Sequence, residues 1–171
     1  MPFDTPSPAA ERPHVVIVGA GFAGLEAAKD LRDAPVRVTL VDRNNYHKFQ
    51  PLLYEVAMAG LEPDDIAHNV RNIFQGNETV HFRLGTVTDI DPVLQQVHLR
   101  GSDSLAYDHL ILAAGAVSTD FGVPGVEEHA YPLKNVPDAV NLRNRVLRPF
   151  ERYDRQPHPA GAGALTFVVV G

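Results

Sequence analysis

The residues with the clearest chemical meaning are three glycines and one acid. Gly19, Gly21 and Gly24 stand in the run GAGFAG, and Asp42 follows 18 residues after the last of them. A dinucleotide pyrophosphate is doubly negative, and a helix N-terminus offers unpaired N–H groups with a partial positive charge. Backbone can approach the phosphates only where side chains are absent. Gly19 allows the tight turn, Gly21 the approach of chain to pyrophosphate, and Gly24 the packing of the helix against the preceding strand. Asp42, at the end of a second strand, has a carboxylate that could accept both hydroxyls of an adenosine ribose. Gly-x-Gly-x-x-Gly alone is a weak signal. A strand before it, a helix after it and an acid at the next strand end are the context it requires. The motif does not separate FAD from NAD, because both contain an ADP half.

The elements that must position these residues follow from hydrophobic periodicity. HVVIV, His14–Val18, suits a strand buried on both faces of a parallel sheet. Phe22, Leu25, Ala28 and Leu31 recur at helical spacing. Residues 36–41, VRVTLV, make a second strand running into Asp42. Strand, glycine turn, helix, strand is the opening of a doubly wound α/β fold. Pro63, Asp64 and Asp65 predict a helix start, with Ile66, Val70, Ile73 and Phe74 on one face and Gly76-Asn77 as its stop. Residues 79–84 predict a strand, and 86–90, 96–100 and 105–107 a small antiparallel meander. HLILAA, 109–114, predicts another buried strand. Pro137 and Asp138 open a further helix, with Ala139, Leu142, Val146 and Leu147 toward the core. LTFVVV, 165–170, predicts one more buried strand, and TFVVVG repeats the character of HVVIVG near the start. The expected architecture is a Rossmann-like, doubly wound, mostly parallel sheet, with helices on both faces and an antiparallel β-meander. This is an FAD/NAD(P)-binding fold.

Composition narrows the chemistry. A net charge of -6 leaves no basic stripe for nucleic acid. The absence of cysteine excludes disulfides, iron–sulfur clusters and a redox-active Cys-x-x-Cys within these 171 residues. The histidines have no metal-ligand spacing, and no Ser-His-Asp order stands out, so neither a metal site nor a catalytic side chain is expected. No run approaches the ~20 apolar residues that span a bilayer. The opening MPFDTPSPAAERP lacks the apolar core of a secretory signal.

HKFQPLLYEVA, from His47 to Ala57, resembles the His-x-Phe-x-Pro-Leu-Leu-Tyr segment of the type II NADH dehydrogenases, the non-pumping NADH:quinone oxidoreductases. Ile66, Ala67 and Arg71 match a further pattern of that family, and residues 121–147 are also very similar to it. YDHLILAAGA resembles the second flavin-contacting strand of the wider family of two-dinucleotide flavoproteins. Asn69 stands where proline is usual, and Lys48 where an apolar residue is common.

The resemblance implies FAD as cofactor and hydride transfer from NADH to the flavin, then electron transfer to a quinone. It implies that Gly19, Ala20, Gly21, Phe22 and Ala23 cradle the pyrophosphate, with Gly24 behind them. Asp42 and Arg43 hold the adenosine side, and Val87 meets the adenine. Pro51, with His47 near it, lines the flavin end, and Ala113, Ala114 and Gly115 close over the cofactor. Plainer readings stand beside these. His47 also reads as a hydrogen-bonded structural histidine, Val87 as strand packing, Pro51 as a turn residue, and Leu52, Leu53 and Tyr54 as core.

The expected organisation is a disordered leader (1–12), an FAD-binding domain (13–151), a linker (152–163) and the first strand of an NADH-binding domain (164–171). The chain then reads as the N-terminal part of a longer flavoprotein, cytoplasmic and peripheral on the inner face of the cell membrane, with a homodimer compatible. Competing readings are a nucleotide-binding module without turnover and a ferredoxin-reductase-like or sulfide:quinone-type flavoprotein.

Overall fold

The structure, a computed structural model, describes residues 12–155 and 165–170. The expected leader therefore lies outside the described residues except for Arg12, and so does the expected linker from 156 on. The chain forms two compact units. The first comprises the residues up to His47 together with His68–Ala116, and the second comprises Lys48–Ala67 together with the residues from Val117 on.

The first unit is built on a four-stranded parallel sheet. Its strands are β1 (His14–Val18), β2 (Arg37–Asp42), β5 (Val80–Leu84) and β9 (His109–Leu112), in the order β5-β2-β1-β9. β1 is interior, in register with β2 (Ile17 opposite Leu40) and with β9 (Ile17 opposite Ile111). Its alternate residues feed two cores, as the two-residue period of a strand requires. Val15 and Ile17 pack with Leu25 and Ala28 of helix α1 (Phe22–Asp30) and with Val70 and Phe74. Val16 and Val18 pack with Val97 and Leu99 on the other face.

Those last two belong to the antiparallel meander of β6 (Val87–Asp91), β7 (Gln96–Leu99) and β8 (Leu105–Ala106). The expected parallel sheet and meander are both present. Among the described residues, however, the second face of this sheet is covered by the meander and not by helices: Val97 and Leu99 supply the apolar side chains that pack on Val16 and Val18.

The helix expected over 63–74 is broken. Helix α3 (Pro63–Ile66) ends where Ala67 turns extended, at φ -120 and ψ 103. Residues Ala67–Asn69 form β4, which pairs with β3 (Tyr46–Lys48). Helix α4 (Val70–Ile73) then begins anew, with the Asn69 side chain accepting from the Arg71 N–H at 2.9 Å. Asn is a strong N-cap and favours this restart over continuation. Ile66 and Val70 are both fully buried, but in different cores. Ile73 is left on the surface.

Two other expectations of buried strands fail. β9 is half-exposed because, among the described residues, it has a ladder on one side only, against β1. It also stops at Leu112, not at 114. Residues 165–170 form no strand and are exposed, Val169 to 95%. They find no ladder partner among the described residues.

In the second unit, helix α2 (Leu53–Ala57) contributes Leu53, Val56 and Ala57 to a core with Ile66 and Ala139. Tyr54 is exposed. After the short helix α5 (Val126–His129) comes α6 (Val136–Arg155), which carries Pro149 within it. Its start is where the sequence places it. The Asp138 carboxylate accepts from the Lys134 and Asn135 N–H groups, while Asn135 Oδ1 accepts from the Asp138 N–H. Ala139 is buried and Leu142 and Val146 are half-buried, but Leu147 faces solvent. The helix runs through residues 152–155, where a linker was expected.

His14 shows how β1 is held at its first residue. Its N–H donates to Asp108 Oδ2 at 2.6 Å, and its Nε2 meets Thr39 Oγ1 at 2.8 Å. Burial pushes the imidazole below its ordinary pKa, and the Arg37 charge adds to this. A hydrogen bond to the Ala106 backbone and the Asp108 charge oppose it.

Candidate nucleotide-binding site

The site is assembled where β1 turns into α1. Gly19 has φ +106, a conformation that L side chains rarely adopt, and its N–H donates to the Val41 carbonyl at 2.7 Å. A Cβ at Gly19 would meet the Ala113 carbonyl oxygen, and one at Gly24 would meet the carbonyl oxygen of Gly19. Both glycines are thus explained by packing within the protein. Gly21 is different. A Cβ there would find nothing within 4 Å, and its φ of -72 is open to any residue.

Gly21 is the N-cap of α1, and no side chain caps that end. No acid lies in the first turn. The first N–H groups of a helix have no intrahelical acceptor. An uncapped end beside a glycine that the fold itself does not need is suited to a bound anion.

Asp42 is joined to this turn. Its Oδ2 accepts from the Ala20 N–H at 2.7 Å, and its Oδ1 from the Asn44 N–H at 2.8 Å. A carboxylate has about four lone-pair sites, so each oxygen can still accept from a ribose hydroxyl. Tyr46 is close enough that burial first, and then the Asp42 charge, raise its phenol above the ordinary pKa.

His47 also belongs to the turn. It is buried, its Nδ1 lies 2.9 Å from the Ala20 carbonyl oxygen, and its ring meets the Phe22 ring edge-on at 5.2 Å. The structural reading of this histidine accounts for what is seen.

The structure therefore brings Gly19, Ala20, Gly21, Phe22, Gly24, Asp42, His47 and Ala113 together, with Ala23 exposed in the first turn of α1. The Ala113 N–H donates to the Val18 carbonyl at 2.8 Å, tying the end of β9 to the end of β1. Ala114 and Gly115 follow it on the surface, Gly115 with φ +73. Arg43 is exposed. Val87 is half-buried against the Val16 and Val18 core, opposite Leu99. Pro51 lies exposed in the 3-10 turn Gln50–Leu52 of the second unit. Asn44 was missed by the sequence reading, although Asp-x-Asn after a strand is a turn signal for a side-chain-to-backbone bond.

A parallel sheet ordered β5-β2-β1-β9, with a glycine turn after the interior strand and an acid after its neighbour, defines a dinucleotide-binding α/β protein. The sequence pattern of the pyridine nucleotide-disulphide oxidoreductases matches residues 13–171, and the chain belongs to that family. It is 43% identical over 164 residues to the type II NADH:quinone oxidoreductase Ndh of Mycobacterium tuberculosis, covering 94% of this chain and 35% of that protein. It is 31% identical to the mitochondrial external NADH-ubiquinone oxidoreductase 2 of Saccharomyces cerevisiae, covering 94% of this chain and 31% of that one. The chain spans about a third of the length of these relatives.

Among solved structures, it resembles NDH2 of Plasmodium falciparum in complex with RYL-552, with TM-score 0.76 and 25% identity over 87% of this chain and 31% of that one. The sulfide:quinone oxidoreductase of Aquifex aeolicus, with TM-score 0.72 and 24% identity over 85% of this chain and 33% of that one, shares the fold. Among the described residues, no helix is long and apolar enough to cross a membrane.

Proposed function

We propose that residues 19–23 and Asp42 bind the ADP half of FAD, and that the protein is a flavoprotein passing hydride from NADH to FAD and electrons on to a quinone. Gly21 carries this reading. It is the one glycine of the three whose missing side chain leaves open space, at a helix end with no cap of its own. The substrates are proposed from the likeness to the Mycobacterium and Saccharomyces NADH:quinone oxidoreductases. The proposal extends to peripheral contact with the inner face of the cell membrane and to a homodimer.

Bound flavin supplies the redox chemistry. The chain's own residues hold the diphosphate on the Gly21 turn and the ribose on Asp42. The other assigned contacts are Arg43 at the adenosine, Val87 at the adenine, Pro51 at the flavin end, and Ala113, Ala114 and Gly115 over the cofactor.

The experiment is the visible spectrum of the purified chain, with and without NADH, for the wild type and Gly21→Val. Because a Cβ at Gly21 would find nothing within 4 Å, the variant should fold as the wild type does. We expect it to lose FAD retention by at least about tenfold, the equivalent of about 1.4 kcal/mol. A folded Gly21→Val protein with a full complement of FAD overturns the assignment.

A further inference from the structure

Ala20 is held through both of its flanking peptide groups. Its N–H donates to Asp42 Oδ2, and its carbonyl oxygen lies 2.9 Å from His47 Nδ1. A carbonyl oxygen can only accept, so the proton of the neutral ring is on Nδ1. Ala20 and His47 are both buried, so this bond is shielded from water. The edge-on Phe22 ring fixes the plane of the imidazole from the first residue of α1. No cis peptide occurs among the described residues. In a planar trans peptide the C=O of one residue and the N–H of the next point in opposite directions. Holding the Ala20 carbonyl toward His47 therefore turns the Gly21 N–H away from His47.

We propose that His47 is a positioning residue that aims the Gly21 N–H at the diphosphate of the bound nucleotide, acting through the Ala20 peptide and not by touching the cofactor. The inference rests on the FAD-binding reading and adds a device to it. Asp42, the last residue of the second strand, and His47 beyond it hold the two successive amides that flank Ala20 in the turn after the first strand. Asp42 fixes one end of the Ala20 residue and His47 the other. Without the histidine, the Ala20 carbonyl loses the hydrogen bond that orients the Ala20–Gly21 peptide.

The test uses the full chain with ADP, FAD and adenosine as probes, read by calorimetry or NMR titration. His47→Leu removes the donor, and His47→Asn keeps an N–H near the same place. We expect His47→Leu to weaken ADP and FAD by about tenfold, the scale of one lost or misdirected hydrogen bond to a charged group. Adenosine, which lacks the diphosphate, should bind both proteins alike, and His47→Asn should recover most of the ADP affinity. Equal weakening of adenosine and ADP marks a merely structural histidine and overturns the proposal, as does unchanged ADP binding in a folded His47→Leu protein.

A further measurement needs no variant. The ¹⁵N shifts of the neutral His47 ring should show Nδ1 protonated and Nε2 bare, and the opposite tautomer overturns the proposal. A wild-type chain that bound neither FAD nor ADP would defeat the FAD reading itself, before any His47 variant was compared.

Discussion

HVVIVG and TFVVVG are nearly the same text, and the molecule treats them in opposite ways. In the first, Ile17 is 0% exposed, with strands on both sides and a core on each face. In the second, the matching Val169 is 95% exposed and the segment has no ladder among the described residues. Phe167 stacks on Phe150 of α6 with ring centroids 6.0 Å apart, and Thr166 stands where the first segment has its buried His14. Residue type alone does not make a buried strand. β-propensity expresses how well a side chain fits a pleated, half-covered surface, and it yields nothing until neighbouring strands supply that surface.

The sharpest way to break the comparison is a matched pair of truncations. Ile17→Ala should cost about 2–5 kcal/mol, through lost burial and the cavity left behind. Val169→Ala should stay within about 0.5 kcal/mol, as surface changes do. Urea denaturation of both variants measures this, and comparable losses would mean that the second segment is packed after all.

A smaller effect is expected from deleting residues 165–171. The segment is uncharged, free of proline and rich in β-formers, which is the profile of an aggregation-prone stretch. The shortened chain should be at least about twofold more soluble, with an unchanged urea midpoint and unchanged FAD binding. Lower solubility, or a lower midpoint, would show that these residues cover something.

The smallest effect concerns His14. Its folded pKa lies below the ordinary imidazole value of about 6.5. The unfolded chain therefore takes up the proton first, and stability falls as pH drops below that value. The contribution is fully present above about pH 7 and is lost progressively on acidification. His14→Asn, which cannot titrate, should flatten the decline in urea midpoint between about pH 7 and pH 5. Identical slopes for wild type and variant would remove the burial argument for His14.

The glycine turn was legible because its signals are local. Apolar runs, a glycine spacing and a strand-end acid all lie within one strand–helix–strand stretch, and β1, α1, β2 and Asp42 fall where those signals put them. The break at residues 67–69 was not legible. Ile66, Val70 and Phe74 have helical spacing whether they face one core or two, and only tertiary packing decides between these. The exposure of β9 was hidden for a similar reason, since HLIL reads the same at a sheet edge as at its centre. The grip of His47 on Ala20 joins residues 27 apart in sequence. A histidine alone does not announce which carbonyl it will hold. The sequence weighed a structural role for it and could not say that the structure it supports is the turn itself.

The strand order also sets a schedule. β1 leaves the ribosome well before one of its two flanking partners, β9, which begins only at His109. Everything between must be synthesised before that edge of Val15–Val18 is closed, including the excursion of Lys48–Ala67 into the other unit. Parallel pairing over such a separation closes slowly. During synthesis, the strand that becomes most deeply enclosed is therefore the one that waits longest with a bare apolar edge. For that interval, a nascent-chain chaperone and the growing polypeptide compete for the same few valines.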